Sequence, residues 1–179
     1  MKTYKLITDR PKTENEQSGD CVLRAFTFLS GMNYDQVREY IQQFEPDNNF
    51  AFRRPKNFLY LAEKLDLVSF VRWRFEDLGR FDIKTIAGAI DFFEQYNIKG
   101  LVQTSDHIVY VDNQRRVYDS FHSVNKHTTS ILIPRKDCDR LKIPYEKGKQ
   151  SFGTFSEYHT YADPTTKIIK KGDKYIIMK

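Results

Sequence analysis

The chain has 179 residues, long enough for one domain with a buried core of its own. Its two cysteines, Cys21 and Cys138, are too few for a disulfide scaffold or a four-cysteine zinc site, and without a CxxC pair they fit a reducing compartment. The net charge of +5 is spread from Arg53 and Arg54 through Arg72, Arg115 and Arg116 to the tail lysines, mostly among acids, so a solvated surface is expected rather than a nucleic-acid interface.

Residues 1–10 lack the apolar core and small-residue cleavage site of a secretory signal, and no run approaches the ~18 apolar residues that span a membrane. A cytoplasmic protein without a membrane partner is therefore expected. Residues 3–8 read as a short extended start, and the polar run 9–19, with Pro11, Asn15, Ser18 and Gly19, as a loop. Next, Val22, Ala25, Phe26 and Leu29 take the i, i+3, i+4, i+7 spacing of a buried helical stripe, which Ser18 or Asp20 can cap and Gly31 can stop. A second helix begins at Asn33 or Asp35, with Tyr34, Val37, Ile41 and Phe44 as its apolar positions. Pro55 opens a third, with Phe58, Leu61, Ala62 and Leu65 on one face.

Residues 67–75 alternate after Ser69 and read as a strand, and Asp82 caps a fourth helix with Ile83, Ile86, Ile90 and Phe93 inward. From residue 98 the period changes from helical to alternating. Residues 98–104, 107–112, 115–121 and 129–134 read as four strands, antiparallel neighbours by their short connections. Residues 138–164 carry no clear period, and 167–171 with 174–178 form a hairpin about Gly172 and Asp173. Helices first and antiparallel strands after make an α+β arrangement, a single domain over 1–179 with 151–179 as a peripheral tail.

Cys21 opens the first amphipathic helix, where unpaired backbone N–H groups and the positive end of the helix dipole favour a thiolate. The alternative is a small core hydrophobe beside Val22 and Leu23. A reactive cysteine needs a base, and His107, opening one strand, faces Asp119, ending the next, if the loop between them has the right parity. A loop of Asp112, Asn113 and Gln114 pairs Val109 with Val117 and His107 with Asp119, and gathers Val109, Val111 and Val117 on one face. A loop of Asn113 and Gln114 alone would set Asp119 opposite Ile108; the first register is preferred because it makes the valine pair. An aspartate beside a histidine fixes its tautomer and leaves the other nitrogen for a thiol, although a buried histidine satisfied by a carboxylate looks the same. His122, His127 and His159 lie in polar stretches as loop residues, a zinc site of His122, His127 and Cys138 matches no ligand spacing, and Cys138 is structural or incidental. No metal and no cofactor is expected.

Gly19-Asp20-Cys21 opening a helix, and Asp106-His107-Ile108-Val109-Tyr110-Val111 followed by Arg116-Val117-Tyr118-Asp119-Ser120, resemble the papain-like cysteine peptidases, in their small bacterial and bacteriophage versions. The resemblance covers residues 17–28 and 100–120. It implies N-terminal helices packed against a C-terminal antiparallel sheet, with Cys21 as nucleophile, His107 as general base and acid, and Asp119 as the orienting acid. It also implies a side-chain amide ahead of the nucleophile that helps hold the oxyanion; Gln17 is the candidate and Asn15 the fallback.

The expected function is a cytoplasmic cysteine hydrolase, in the host cytoplasm if phage-encoded, acting on a protein or peptide. The same constellation, by resemblance, supports transglutaminase-like or deubiquitinase-like acyl transfer. A non-catalytic binder of a host protein or nucleic acid is the further alternative, using Phe155, Tyr158 and Tyr161 near the basic tail. Trp73, Phe75 and residues 46–57 are the candidate pocket walls, and nothing in the chain indicates its oligomeric state.

Overall fold

The computed structural model describes residues 2–11, 20–42, 62, 65–76, 82–145, 149–151, 167–171 and 174–178. The expected third helix falls almost wholly outside these residues, as do Gln17, Asn15, Ser18, His159, residues 46–57 and the Gly172–Asp173 turn.

A six-stranded mixed sheet forms the centre. It comprises β1 (Lys5–Ile7), β2 (Leu67–Val71), β3 (Gly100–Gln103), β4 (Ile108–Val111), β5 (Arg116–Tyr118) and β6 (Ser130–Pro134), in the spatial order β1-β5-β4-β3-β6-β2. Two expectations are corrected here. The sheet is not wholly antiparallel, because the N-terminal strand β1 joins its edge parallel to β5. Nor are the four later strands neighbours in chain order: β6 passes β5 and β4 to pair with β3 and β2, both antiparallel.

Helices cover both faces of this sheet. On one lie α1 (Cys21–Ser30) and α2 (Tyr34–Gln42), whose Leu23, Ala25, Phe26, Tyr34 and Val37 are buried in one cluster with Leu101, Ile108, Tyr110 and Leu132. On the other lie α3 (Arg72–Glu76), α4 (Ile86–Gln95) and α5 (Arg135–Leu141), with Phe75, Ile86, Ile90, Phe93 and Cys138 buried against Val102, Val109, Val111, Val117, Ile131 and Ile133. Strand alternation explains the division, since adjacent residues such as Ile108 and Val109 go to opposite clusters. The fold is α+β, as expected, with helices on both faces of the sheet.

The buried stripe of α1 centres on Leu23, Phe26 and Thr27, with Val22 and Leu29 only partly covered. Phe28 docks the helix further, its ring 4.8 Å from Tyr118 and 6.5 Å from Tyr110, two tyrosines directly opposed across β4 and β5. Gly31 ends the helix as expected, at φ 70, with its N–H bonded to the Thr27 carbonyl.

Residues 67–75 do not stay extended. The strand stops at Val71, and α3 turns Phe75 inward against Phe70 and Phe92, while Arg72 pairs with Glu76 at 2.8 Å. Alternation could not foresee this, because Phe75 is buried by either geometry. Thr85, rather than Asp82, caps α4 by accepting from the Gly88 N–H. The unassigned region from residue 138 opens inside α5 and continues to β7 (Lys149–Ser151), which joins β9 (Lys174–Met178) and β8 (Lys167–Lys171) in a second, three-stranded sheet.

Gly100 sits at a close approach within the main sheet. A Cβ there would lie 2.5 Å from the Leu132 carbonyl oxygen and 2.8 Å from the Phe93 ring. Gly100→Ala should therefore lower the unfolding free energy by about 1–3 kcal/mol, the usual cost of overpacking, as read from urea midpoints at constant m. A midpoint equal to that of the wild type would contradict the close approach.

Candidate active site

The β4–β5 hairpin sets the histidine and the aspartate. Tyr110 pairs with Tyr118 and Val111 with Val117, so Val117 stands opposite Val111 rather than the expected Val109, a register moved by two residues. The cause is the turn. Asp112 Oδ1 accepts from the Gln114 and Arg116 N–H groups at 2.8 and 3.0 Å, and Arg115 takes a left-handed φ of 60. The loop is thus Asn113, Gln114 and Arg115. The Arg115 side chain ties this turn to α4 through Asp91 and Glu94, at 2.6 and 2.9 Å, and to the N-terminal segment through the Thr3 carbonyl.

A shift of two residues preserves parity, so His107 and Asp119 still meet, diagonally rather than directly opposed. His107 Nε2 lies 2.8 Å from Asp119 Oδ1. The shared valine face packs against α4, however, and Cys21 belongs to α1 on the other face. The site forms all the same because His107 precedes β4 and Asp119 follows β5, so both stand at the end of the sheet, beside the start of α1. Cys21 stands beside His107, close enough for its side chain to favour the charged imidazole. With Nε2 engaged by Asp119, Nδ1 is the nitrogen left for the thiol.

Each member is held by its own local structure. The β3–β4 turn fixes His107: its carbonyl accepts from the Thr104 N–H at 2.8 Å, and Asp106 in the same turn pairs with Lys126 at 2.9 Å. Asp119 is fixed through its backbone by β1, whose Ile7 carbonyl accepts the Asp119 N–H at 3.0 Å. Its carboxylate accepts from His107, from the Ser120 N–H at 2.7 Å and from the Ser123 hydroxyl. Phe121 stacks on the imidazole at 4.8 Å between centroids and is itself 45% exposed, so it covers the ring while presenting an apolar edge to solvent.

Burial alone would lower the His107 pKa, but the hydrogen bonds and charges of Asp119 and Cys21 outweigh it and raise the value from 6.5 to about 9. Burial likewise opposes the Asp119 charge, and the bonds from His107, Ser123 and the Ser120 N–H win, leaving its carboxyl below the usual range. Cys138 contrasts with this: it is fully buried in α5, and burial with Asp139 and Asp137 pushes its thiol up to about 12.

Asp20 does not cap α1 with its side chain. The carboxylate is turned aside to Arg24, at 2.8 Å, and to the Tyr34 hydroxyl, also at 2.8 Å. Phe75 is no pocket wall, being buried in the core on the α4 face, and the Trp73 side chain lies outside what the structure describes. His122 is exposed and meets the Tyr4 hydroxyl, and His127 is exposed beside Thr85. Among the described residues no three or more His, Cys, Asp and Glu side chains are grouped to hold a metal, and no helix is long and apolar enough to cross a membrane. Sequence alone named Ser120 only within the resemblance and did not single out Phe121 or Ser123, although Ser120 and Phe121 directly follow Asp119. No protein-family model, no curated protein and no solved structure matches the chain.

The pair of shifts fixes how stability depends on pH. The folded His107 value lies above its unfolded one, so its contribution is complete below pH 6.5 and is lost as the pH rises to about 9. Asp119 acts oppositely: its contribution is present above the ordinary carboxylate range and is lost as the pH falls through its lowered value. Wild-type unfolding free energy should decline between pH 6.5 and 9, and His107→Ala should flatten that decline. An equal slope in the variant would contradict the assignment.

Proposed function

We propose that this chain is a papain-like cysteine hydrolase, in the first place a peptidase, with Cys21 as nucleophile, His107 as acid and base, and Asp119 as the residue that orients the imidazole. One observation carries the reading: an imidazole bonded through Nε2 to a buried aspartate, with its pKa raised also by a neighbouring cysteine at the first residue of a helix. A buried histidine merely satisfied by a carboxylate would not also need a thiol on its other side.

The chemistry follows from the protonation of the pair. With the His107 pKa near 9, the ring carries both protons at neutral pH, one toward Asp119 and one toward Cys21. The Cys21 thiolate attacks the acyl carbon, and the tetrahedral oxyanion is held by the Cys21 backbone N–H and, as the family resemblance implies, the Gln17 amide. Collapse of the intermediate breaks the C–N bond as His107 gives its proton to the leaving amine. Neutral His107 then takes a proton from water, whose oxygen attacks the thioester. Expulsion of the Cys21 thiolate releases the acid and leaves the thiolate again beside the imidazolium.

Turnover of p-nitrophenyl acetate, with mass spectrometry of the protein, tests the reaction without a known substrate, and a mixed peptide library then tests peptide cleavage. Wild type should carry the acetyl group on Cys21 transiently and turn over, whereas Cys21→Ala should lose turnover. His107→Ala should lose about a hundredfold or more, the usual worth of general acid–base catalysis. A Cys21 that is never acylated, or whose acyl group persists without hydrolysis, would overturn the proposal.

A further inference from the structure

Asp20 poses a problem for any thiolate at Cys21. It immediately precedes the nucleophile, and its side chain is 3% exposed, so its charge is poorly screened by water. An uncompensated carboxylate there would oppose a second negative charge next to it. Arg24, one turn along α1 and 13% exposed, places Nε 2.8 Å from Asp20 Oδ1, while Tyr34 donates to Oδ2. The same guanidinium reaches across to the sheet, Nη2 lying 3.3 Å from Ser120 Oγ. Ser120 in turn donates its N–H to Asp119 Oδ1, the atom that holds His107. One side chain therefore touches the residue before the nucleophile and the residue after the orienting acid.

We propose that Arg24 is a positioning residue for Cys21, cancelling the Asp20 charge beside the nucleophile and binding the start of α1 to the Asp119 loop. This rests on the thiol-hydrolase reading and adds to it a group that touches neither substrate nor the reacting atoms. A guanidinium suits the task because its planar fork can serve two acceptors in different directions, and it stays charged throughout the working pH range. Among the described residues, the ionisable groups of α1 and the elements packed on it include Asp20 just before the helix, Cys21 and Arg24 on it, Tyr34, Asp35, Arg38 and Glu39 of α2, His107 and Tyr110 from the β4 side, and Tyr118 and Asp119 from the β5 side; β3 carries none.

Iodoacetamide alkylation of Cys21 in the full chain, followed against pH by mass spectrometry with Cys138 as internal reference, separates this role from a merely structural ion pair. Wild-type Cys21 should react far faster than Cys138 at neutral pH. Arg24→Ala should move the midpoint of the rate profile up by about one pH unit and slow alkylation at pH 7 about tenfold, the effect of leaving one like charge nearby uncancelled. Arg24→Gln, which keeps bulk and hydrogen bonding but not charge, should shift the midpoint in the same direction and serves if the alanine variant does not fold. Arg24→Lys should bring the midpoint back. A folded Arg24→Gln protein with the wild-type profile, or a lysine variant as shifted as the glutamine one, overturns the proposal while leaving the hydrolase reading intact. A wild-type Cys21 no faster than Cys138 overturns the hydrolase reading itself.

Discussion

A histidine side chain only 8% exposed would by burial alone give up its proton, and the Asp119 carboxylate at 2.8 Å, with Cys21 on the other side, reverses that preference. The carboxylate can do so because it is itself held charged in a site 1% exposed, by donors from His107, Ser120 and Ser123. A buried charge without such partners would cost several kcal/mol and would protonate instead. The state of the imidazole thus depends on the short segment that follows β5, and that segment depends on its neighbours.

Those neighbours are unusually distant in the chain. The Asp119 backbone is fixed by β1 through Ile7, and its register by the Asp112 turn, while Arg115 joins that turn to α4 and to the residues before β1. From the opposite face, α1 is docked by Phe28 on the Tyr110 and Tyr118 pair, and Arg24 spans the remaining gap to Ser120. Cys21 packs with the cluster beneath α1, whereas the valines that share the face of His107 belong to the cluster beneath α4. Cys21 and His107 meet only where strand ends and helix start coincide, at the rim rather than within the core.

Much of this was legible in the residues. The helical stripe from Val22 to Leu29 and the alternation from residue 98 follow directly from burial, so α1 and β3 to β6 were locatable, and so were Cys21, His107 and Asp119 at their ends. Parity survived a wrong loop, because an error of two residues in register leaves side chains on the same face. Most of what escaped notice shares one cause: it depends on groups meeting across long sequence separations. The parallel addition of β1, the passage of β6 to the far side of β3 and the stacking of Phe121 on His107 are of this kind, whereas the Asp20–Arg24 ion pair spans one helical turn and competes locally with capping. The inward turn of Phe75 was hidden differently, since a strand and a short helix would bury it equally well.

The protonation of His107 is the point on which the proposed chemistry, the stability and the partnership with Asp119 all converge, and an NMR titration of its imidazole resonances reads it directly. The account predicts a ring that stays doubly protonated to about pH 9 in the wild type, with a lower midpoint in Cys21→Ala and a lower one again in Asp119→Ala. A ring that loses its proton near 6.5, or a midpoint indifferent to both substitutions, would contradict it.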